Sequence, residues 1–234
     1  MTAIRLVAFD LDGTLVDSMP DLAVAIDLVC QDLALRLPGA VVVRQWVGDG
    51  VRRLVKRALT GGADDEPDTQ LFQRGMLLFR RYYRAHLSDH TRLYPGVRAV
   101  LDELYVSGLR LACVTNKSGE FTVPLLEALD LQRYFGAVVS GDTLAARKPD
   151  PEPLLHAART LGVAPAAACM VGDSANDVRA ARAADFLPLA VSYGYGNAAE
   201  VAAMVPATMF GSLAELPPWI AAHNRALAGR AASR

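Results

Sequence analysis

Short apolar runs punctuate the chain, and between them lie segments whose apolar residues recur at helical spacing. "IRLVAFD" (4–10), "LRLACVT" (109–115), "GAVVS" (136–140), "ACMVGD" (168–173) and "LPLAV" (187–191) read as strands, with "TMF" (208–210) a weaker sixth. Unbroken rather than alternating apolar runs predict strands covered on both faces. Helical spacing over 96–107, 119–130, 151–162 and 175–184 predicts crossover helices joining parallel strands.

Residues 18–92 break this alternation. They hold no convincing strand and carry helical patterns near 19–36, 50–59 and 68–86, the last two joined by the turn-rich "TGGADDEPD". Ser18 followed three residues later by Asp21 fits a capping box, which would start the first helix directly after the opening strand. "LYPG" (93–96) returns the chain to alternation. The pattern predicts an α/β fold, a parallel sheet between helical layers, with a core of residues 1–16 and 93–234 and an all-helical insertion over 17–92. The tail "RALAGRAASR" reads as an exposed or frayed end.

Composition narrows the class. With 234 residues, 52% hydrophobic and 21% charged, the chain suits one main globular domain plus a smaller insertion. No apolar run is long enough for a membrane span, and the N-terminus lacks the features of a secretory signal, so a cytoplasmic setting is expected. Net charge of −1 gives no footprint for nucleic acid. Cys30, Cys113 and Cys169 are widely spaced and match no zinc pattern, which predicts reduced core thiols. Of 24 basic residues only three are lysines, Lys56, Lys117 and Lys148. A lysine kept in so arginine-rich a chain is a candidate for a specific role.

The chemistry gathers where strands end. In open α/β sheets, ligands bind beyond the carboxyl ends of the strands. Asp10 ends the first strand and Asp12 follows it, Thr115 and Asn116 end the second, and Asp173 ends "ACMVGD", with Asp177 one helical turn on. Lys148 precedes the helix that begins near Asp150. Each cluster alone has an ordinary reading: a strand-end turn, a helix N-cap, a surface loop, an Asx-turn. Together they crowd carboxylates into one volume. Two such charges about 4 Å apart repel by roughly 4 kcal/mol at an effective dielectric near 20, so a cation must accompany them. Lys148 supplies one charge, and an oxygen-preferring divalent ion such as Mg²⁺ supplies two.

"DLDGT", Thr115, Lys148 and "GDSAND", in that order, resemble the four motifs of the haloacid dehalogenase-like hydrolase superfamily over nearly the whole chain. "TNK", "RKPDPEPL" and "SYGYG" resemble its phosphoglycolate phosphatase branch, and the helical insertion resembles its C1 cap. The resemblance implies a three-layer, Rossmann-like core and Mg²⁺-dependent hydrolysis of a small phosphorylated metabolite such as 2-phosphoglycolate. It implies Asp10 as the nucleophile that becomes an aspartyl-phosphate, Asp12 as general acid and base, and Lys148 bridging Asp10 and phosphate. Thr115 and Asn116 would hold phosphate. Asp10, the main-chain carbonyl of Asp12 and Asp173 would hold Mg²⁺, with Asp177 a ligand or an orienting neighbour. As general acid Asp12 needs a proton at neutral pH, which points to acids and desolvation around it.

Substrate choice would lie in the cap. "WVGDGVRRLVKRAL" (46–59) resembles the specificity loop, with Gly48 and Gly50 flanking Asp49, and Arg52 or Arg53 would attract a substrate carboxylate. The ordinary alternative is a solvated basic face. Where relatives commonly place glycine after an alanine pair this chain has Asp185, which predicts a strained left-handed residue. The rival activities are a phosphosugar mutase like β-phosphoglucomutase and an idle binding protein on the same fold. The implied assembly is a monomer or homodimer.

Overall fold

A computed structural model describes residues 2–47, 50–62 and 65–232. Six parallel strands form one sheet: β1 (Leu6–Phe9), β4 (Arg110–Val114), β5 (Ala137–Val139), β6 (Ala168–Gly172), β7 (Leu187–Val191) and β8 (Thr208–Phe210), in the order β5-β4-β1-β6-β7-β8. β1 lies at the centre. Its residues pair Phe9 with Cys113 on one side and with Val171 on the other. Alternate β1 residues feed opposite layers. Val7 and Phe9 pack with α5 (Val97–Val106), α6 (Gly119–Ala128) and α10 (Leu216–Ala232). Leu6 and Ala8 pack with α7 (Glu152–Leu161) and α8 (Ala175–Ala183). The residues of β1 are fully buried, as their unbroken apolar sequence predicts.

The insertion holds α1 (Met19–Asp32), α2 (Ala40–Trp46), α3 (Val51–Thr60) and α4 (Thr69–Ala85) around a separate core that includes Val29, Leu54, Val55, Phe79 and Tyr83. Phe121 of α6 joins this second core, so the seam between the two units has an apolar part, flanked by the ion pairs of Arg80 and Arg84 with Glu120. Phe121 and Tyr83 meet edge to face at 4.8 Å. A short ladder of β2 (Val16–Asp17) and β3 (Arg92–Leu93) pairs the two chain crossings antiparallel.

Several elements differ from the sequence expectation. α2, α9 (Ala198–Ala203), α10 and the β2–β3 ladder were not anticipated. The last of these puts two-residue strands at the edges of a segment read as strand-free. The C-terminal tail through Ala232 is helical rather than frayed, although Arg225, Ala226 and Ala228 are exposed as expected. Ser18 begins α1 without capping it: its hydroxyl turns to Asp12, and Asp21 turns to Thr91 and His90. Asp185 does adopt the left-handed conformation, at φ +60°. The three cysteines are buried and unpaired. Among the described residues no helix is long and apolar enough to cross a membrane.

Candidate active site

The strand order β4-β1-β6 sets Thr115, Asp10 and Asp173 side by side, because neighbouring strands lie only about 4.8 Å apart. One carboxylate oxygen from each of Asp10, Asp173 and Asp177 lies within 4.8 Å of the others. Gly13 makes room for this. Its φ is +86°, and a Cβ there would stand 2.4 Å from Asp173 Oδ2. Asp173 Oδ2 accepts from the main-chain N–H of Tyr195 (2.7 Å) and Gly196 (3.0 Å), and Oδ1 from the Thr14 hydroxyl. Burial pushes Asp173 up to about 6, with Asp177 adding to the rise and the two N–H donors opposing it. Burial pushes Asp10 up to about 7, against the pull of Lys148 and reinforced by Asp177 and Asp173. Crowded, desolvated carboxylates of this kind, all hard oxygen donors, fit a hard divalent cation.

Lys148 is the ammonium of this nest. Its Nζ lies 2.9 Å from Asp10 Oδ1 and 2.6 Å from Asp177 Oδ1, with its side chain 2% exposed. Burial alone would lower its pKa, but Asp10 and Asp177 outweigh that and raise it. The Asp10 contact is an ion pair whose angle leaves Oδ1 without a formed hydrogen bond. Asn116 Nδ2 donates to the Lys148 carbonyl at 2.9 Å, which anchors the loop that delivers the ammonium. Asp177 Oδ2 accepts from the Ser174 hydroxyl and N–H, forming the capping box of α8. Thr115 does not cap α6, whose N-cap is Ser118. Its Oγ1 accepts from the Lys117 N–H instead.

Asp12 has different company from that expected. Its charged contact is a cation, Lys117, whose Nζ stands 3.1 Å from both carboxylate oxygens, and the Ser18 hydroxyl donates to Oδ1 at 2.5 Å. Lys117 also donates to the Tyr83 hydroxyl of α4 at 2.5 Å. Asp12 and Tyr83 raise the Lys117 pKa against the opposing effect of burial. Sequence motifs gave Lys117 no role. The available signal was its rarity, since two of the three lysines in the chain stand in this site.

A cavity of about 690 Å³, open mouth included, joins the nest to the insertion. Its lining includes Asp10, Asp12, Thr115, Asn116, Lys148, Asp173 and Asp177 from the core side, and Leu22, Val47, Gly50, Val51 and Leu54 from the insertion. Arg52 and Arg53 are not part of it. Both are exposed on α3, and Arg52 lies over the Phe72 ring at 4.9 Å, the arrangement of a solvated basic face. Gly50 reaches the cavity with φ +86°, whereas Gly48 and Asp49 lie outside the described residues.

The haloacid dehalogenase-like hydrolase pattern matches residues 4–185, spanning the acids, both lysines and the insertion. The chain belongs to that family. Among its relatives, the phosphoglycolate phosphatase of Nitrosococcus oceani is 46% identical over 91% of this chain and 94% of its own length. The protein of the same name from Nitrosospira multiformis is 48% identical over 85% and 87%. The crystal structure of a predicted phosphoglycolate phosphatase from Haemophilus somnus superimposes with a TM-score of 0.86 at 34% identity, over 92% of this chain and 97% of that one.

Proposed function

We propose that this hydrolase cleaves 2-phosphoglycolate, or a similarly small phosphorylated acid, through an aspartyl-phosphate on Asp10. The observation that carries the reading is the meeting of Asp10 with Asp173, Asp177 and Lys148, all three more than a hundred residues from it in the chain. The phosphoglycolate phosphatases that share nearly half of its sequence support the substrate.

A carboxylate of Asp10 attacks phosphorus, and the ester bond breaks as Asp12 gives the leaving oxygen a proton. Water then attacks the acyl phosphate, Asp12 accepts its proton, and the bond between Asp10 and phosphorus opens. Lys148 keeps Asp10 oriented and pairs with a phosphoryl oxygen. The Thr115 hydroxyl and the Asn116 N–H hold the others. Asp10, Asp173 and the main-chain carbonyl of Asp12 would hold Mg²⁺, which when bound neutralises charge between nucleophile and phosphate. Asp177, engaged by Lys148 and Ser174, positions Lys148 and the start of α8.

The helical segment 17–92 serves as the cap that excludes water from the cavity. Its described contribution to the cavity wall is largely apolar, Leu22, Val47, Val51 and Leu54, and offers a hexose no hydrogen-bonding side chain. That disfavours a phosphosugar mutase. The test is Mg²⁺-dependent release of phosphate from a panel of phosphorylated metabolites. 2-Phosphoglycolate is expected to give the highest kcat/KM, and D10N to lose at least about 10³-fold in kcat. A hexose phosphate preferred by about tenfold would overturn the substrate assignment.

A further inference from the structure

The reaction proposed above sets the leaving oxygen of the ester beside Asp12, so the atoms bonded to that oxygen lie near whatever else touches Asp12. Those neighbours are the Ser18 hydroxyl and Lys117, and Lys117 is the charged one. Its Nζ is equidistant, at 3.1 Å, from the two Asp12 oxygens, its side chain is 3% exposed, and it lines the cavity. An ammonium has three donors. Both Asp12 oxygens and the Tyr83 hydroxyl accept from it, and because two of these contacts run to one carboxylate, one of the two can turn to the anion of a ligand. The other cavity ammonium, Lys148, is held between Asp10 and Asp177. The insertion side offers Leu22, Val51 and Leu54, and its arginines stand outside the cavity.

We propose that Lys117 is the specificity-determining residue of the site, its ammonium pairing with an anionic group carried one carbon away from the scissile ester oxygen. The inference rests on the phosphatase reading above. In 2-phosphoglycolate the carboxylate carbon is two bonds from that oxygen, so proton delivery by Asp12 and pairing with Lys117 take place at one end of one small molecule. Buried charge-assisted pairs discriminate more strongly than apolar contacts, because a neutral analogue leaves the ammonium without its partner. This places charge selection in the core rather than in the α3 arginines, and it favours short leaving groups, since a longer one would carry its anion past Lys117 towards the apolar wall.

The experiment compares kcat/KM of the Mg²⁺-loaded enzyme for 2-phosphoglycolate and for 2-hydroxyethyl phosphate, the same skeleton with an alcohol in place of the carboxylate. Wild type is expected to favour the acid by about tenfold or more, K117M to bring the ratio close to one, and K117R to restore part of it. If K117M slows both esters by the same factor, Lys117 merely positions Asp12 and the inference is overturned while the phosphatase reading stands. A wild type indifferent to the carboxylate removes the substrate reading, and this inference with it, before any variant is made. Lysine labelled at Cε and Nζ supplies a measurement independent of whether K117M folds, because only three signals exist. In D10N, which binds without turnover, the Lys117 resonance should move further with 2-phosphoglycolate than with 2-hydroxyethyl phosphate, and equal movement would overturn the proposal.

Discussion

Gly13 shows how closely a single residue governs the acid nest. With φ +86° and Asp173 Oδ2 only 2.4 Å from where a Cβ would sit, any side chain must both strain the backbone and displace a carboxylate. G13A is therefore expected to lose about 1–3 kcal/mol of stability and most of its thermal stabilisation by Mg²⁺, measured as melting temperature with and without the ion. A G13A protein that gains as much from Mg²⁺ as wild type would remove Asp173 from the cation site. At this scale Asp10, Thr115, Lys148 and Asp173 were legible in sequence, because each is a polar residue at or near the end of an apolar strand or in a loop beside it. Lys117 was not. Its surroundings come from Asp12 and Tyr83, 105 and 34 residues away, and no local spacing encodes that meeting. Arg52 and Arg53 lie outside the cavity lining for a related reason: helical spacing gives the polar face of α3 without saying what lies opposite it.

Among the elements, the junction between sheet and insertion depends on Asp21. Fully buried, it accepts from the N–H groups of His90 and Thr91 and from the Thr91 hydroxyl, tying the start of α1 to the strand that leaves the insertion. D21A would strand these donors at about 1–3 kcal/mol each. The expected outcome is a lower melting temperature together with faster amide exchange over residues 87–93, whereas unchanged exchange there would locate the loss elsewhere. The sheet strands and their crossover helices were legible because continuous apolar runs and helical spacing are local properties. The two-residue ladder β2–β3 was beyond such reading, being too short to show a period. The Ser18/Asp21 spacing correctly marked the start of α1 but misassigned the bonds, since tertiary partners at Asp12 and Thr91 outcompeted the helix end. The seven-residue α2 follows Pro38 and Gly39 and has no periodic length to reveal it.

For the molecule as a whole, the acid nest links folding to pH. Asp10 at about 7 and Asp173 at about 6 both stand above the ordinary carboxylate value of 3.8. Between about pH 4 and pH 7 the folded chain keeps protons that the unfolded chain has released, so the stability of the metal-free protein falls as pH rises through that window and levels off above it. A divalent cation replaces those protons. Its stabilising effect in thermal unfolding should be greater near pH 8 than near pH 5, and equal gains at the two would contradict the cation site. The β2–β3 ladder has a different consequence. Because Val16 faces Leu93 and Asp17 faces Arg92, the polypeptide leaves the sheet layer and re-enters it through one doorway two residue pairs long. A replacement module must match that doorway, the packing around Phe121 and the partner of Lys117. Within those joints the helical roof can be exchanged for another while the floor on which the acids stand stays in place.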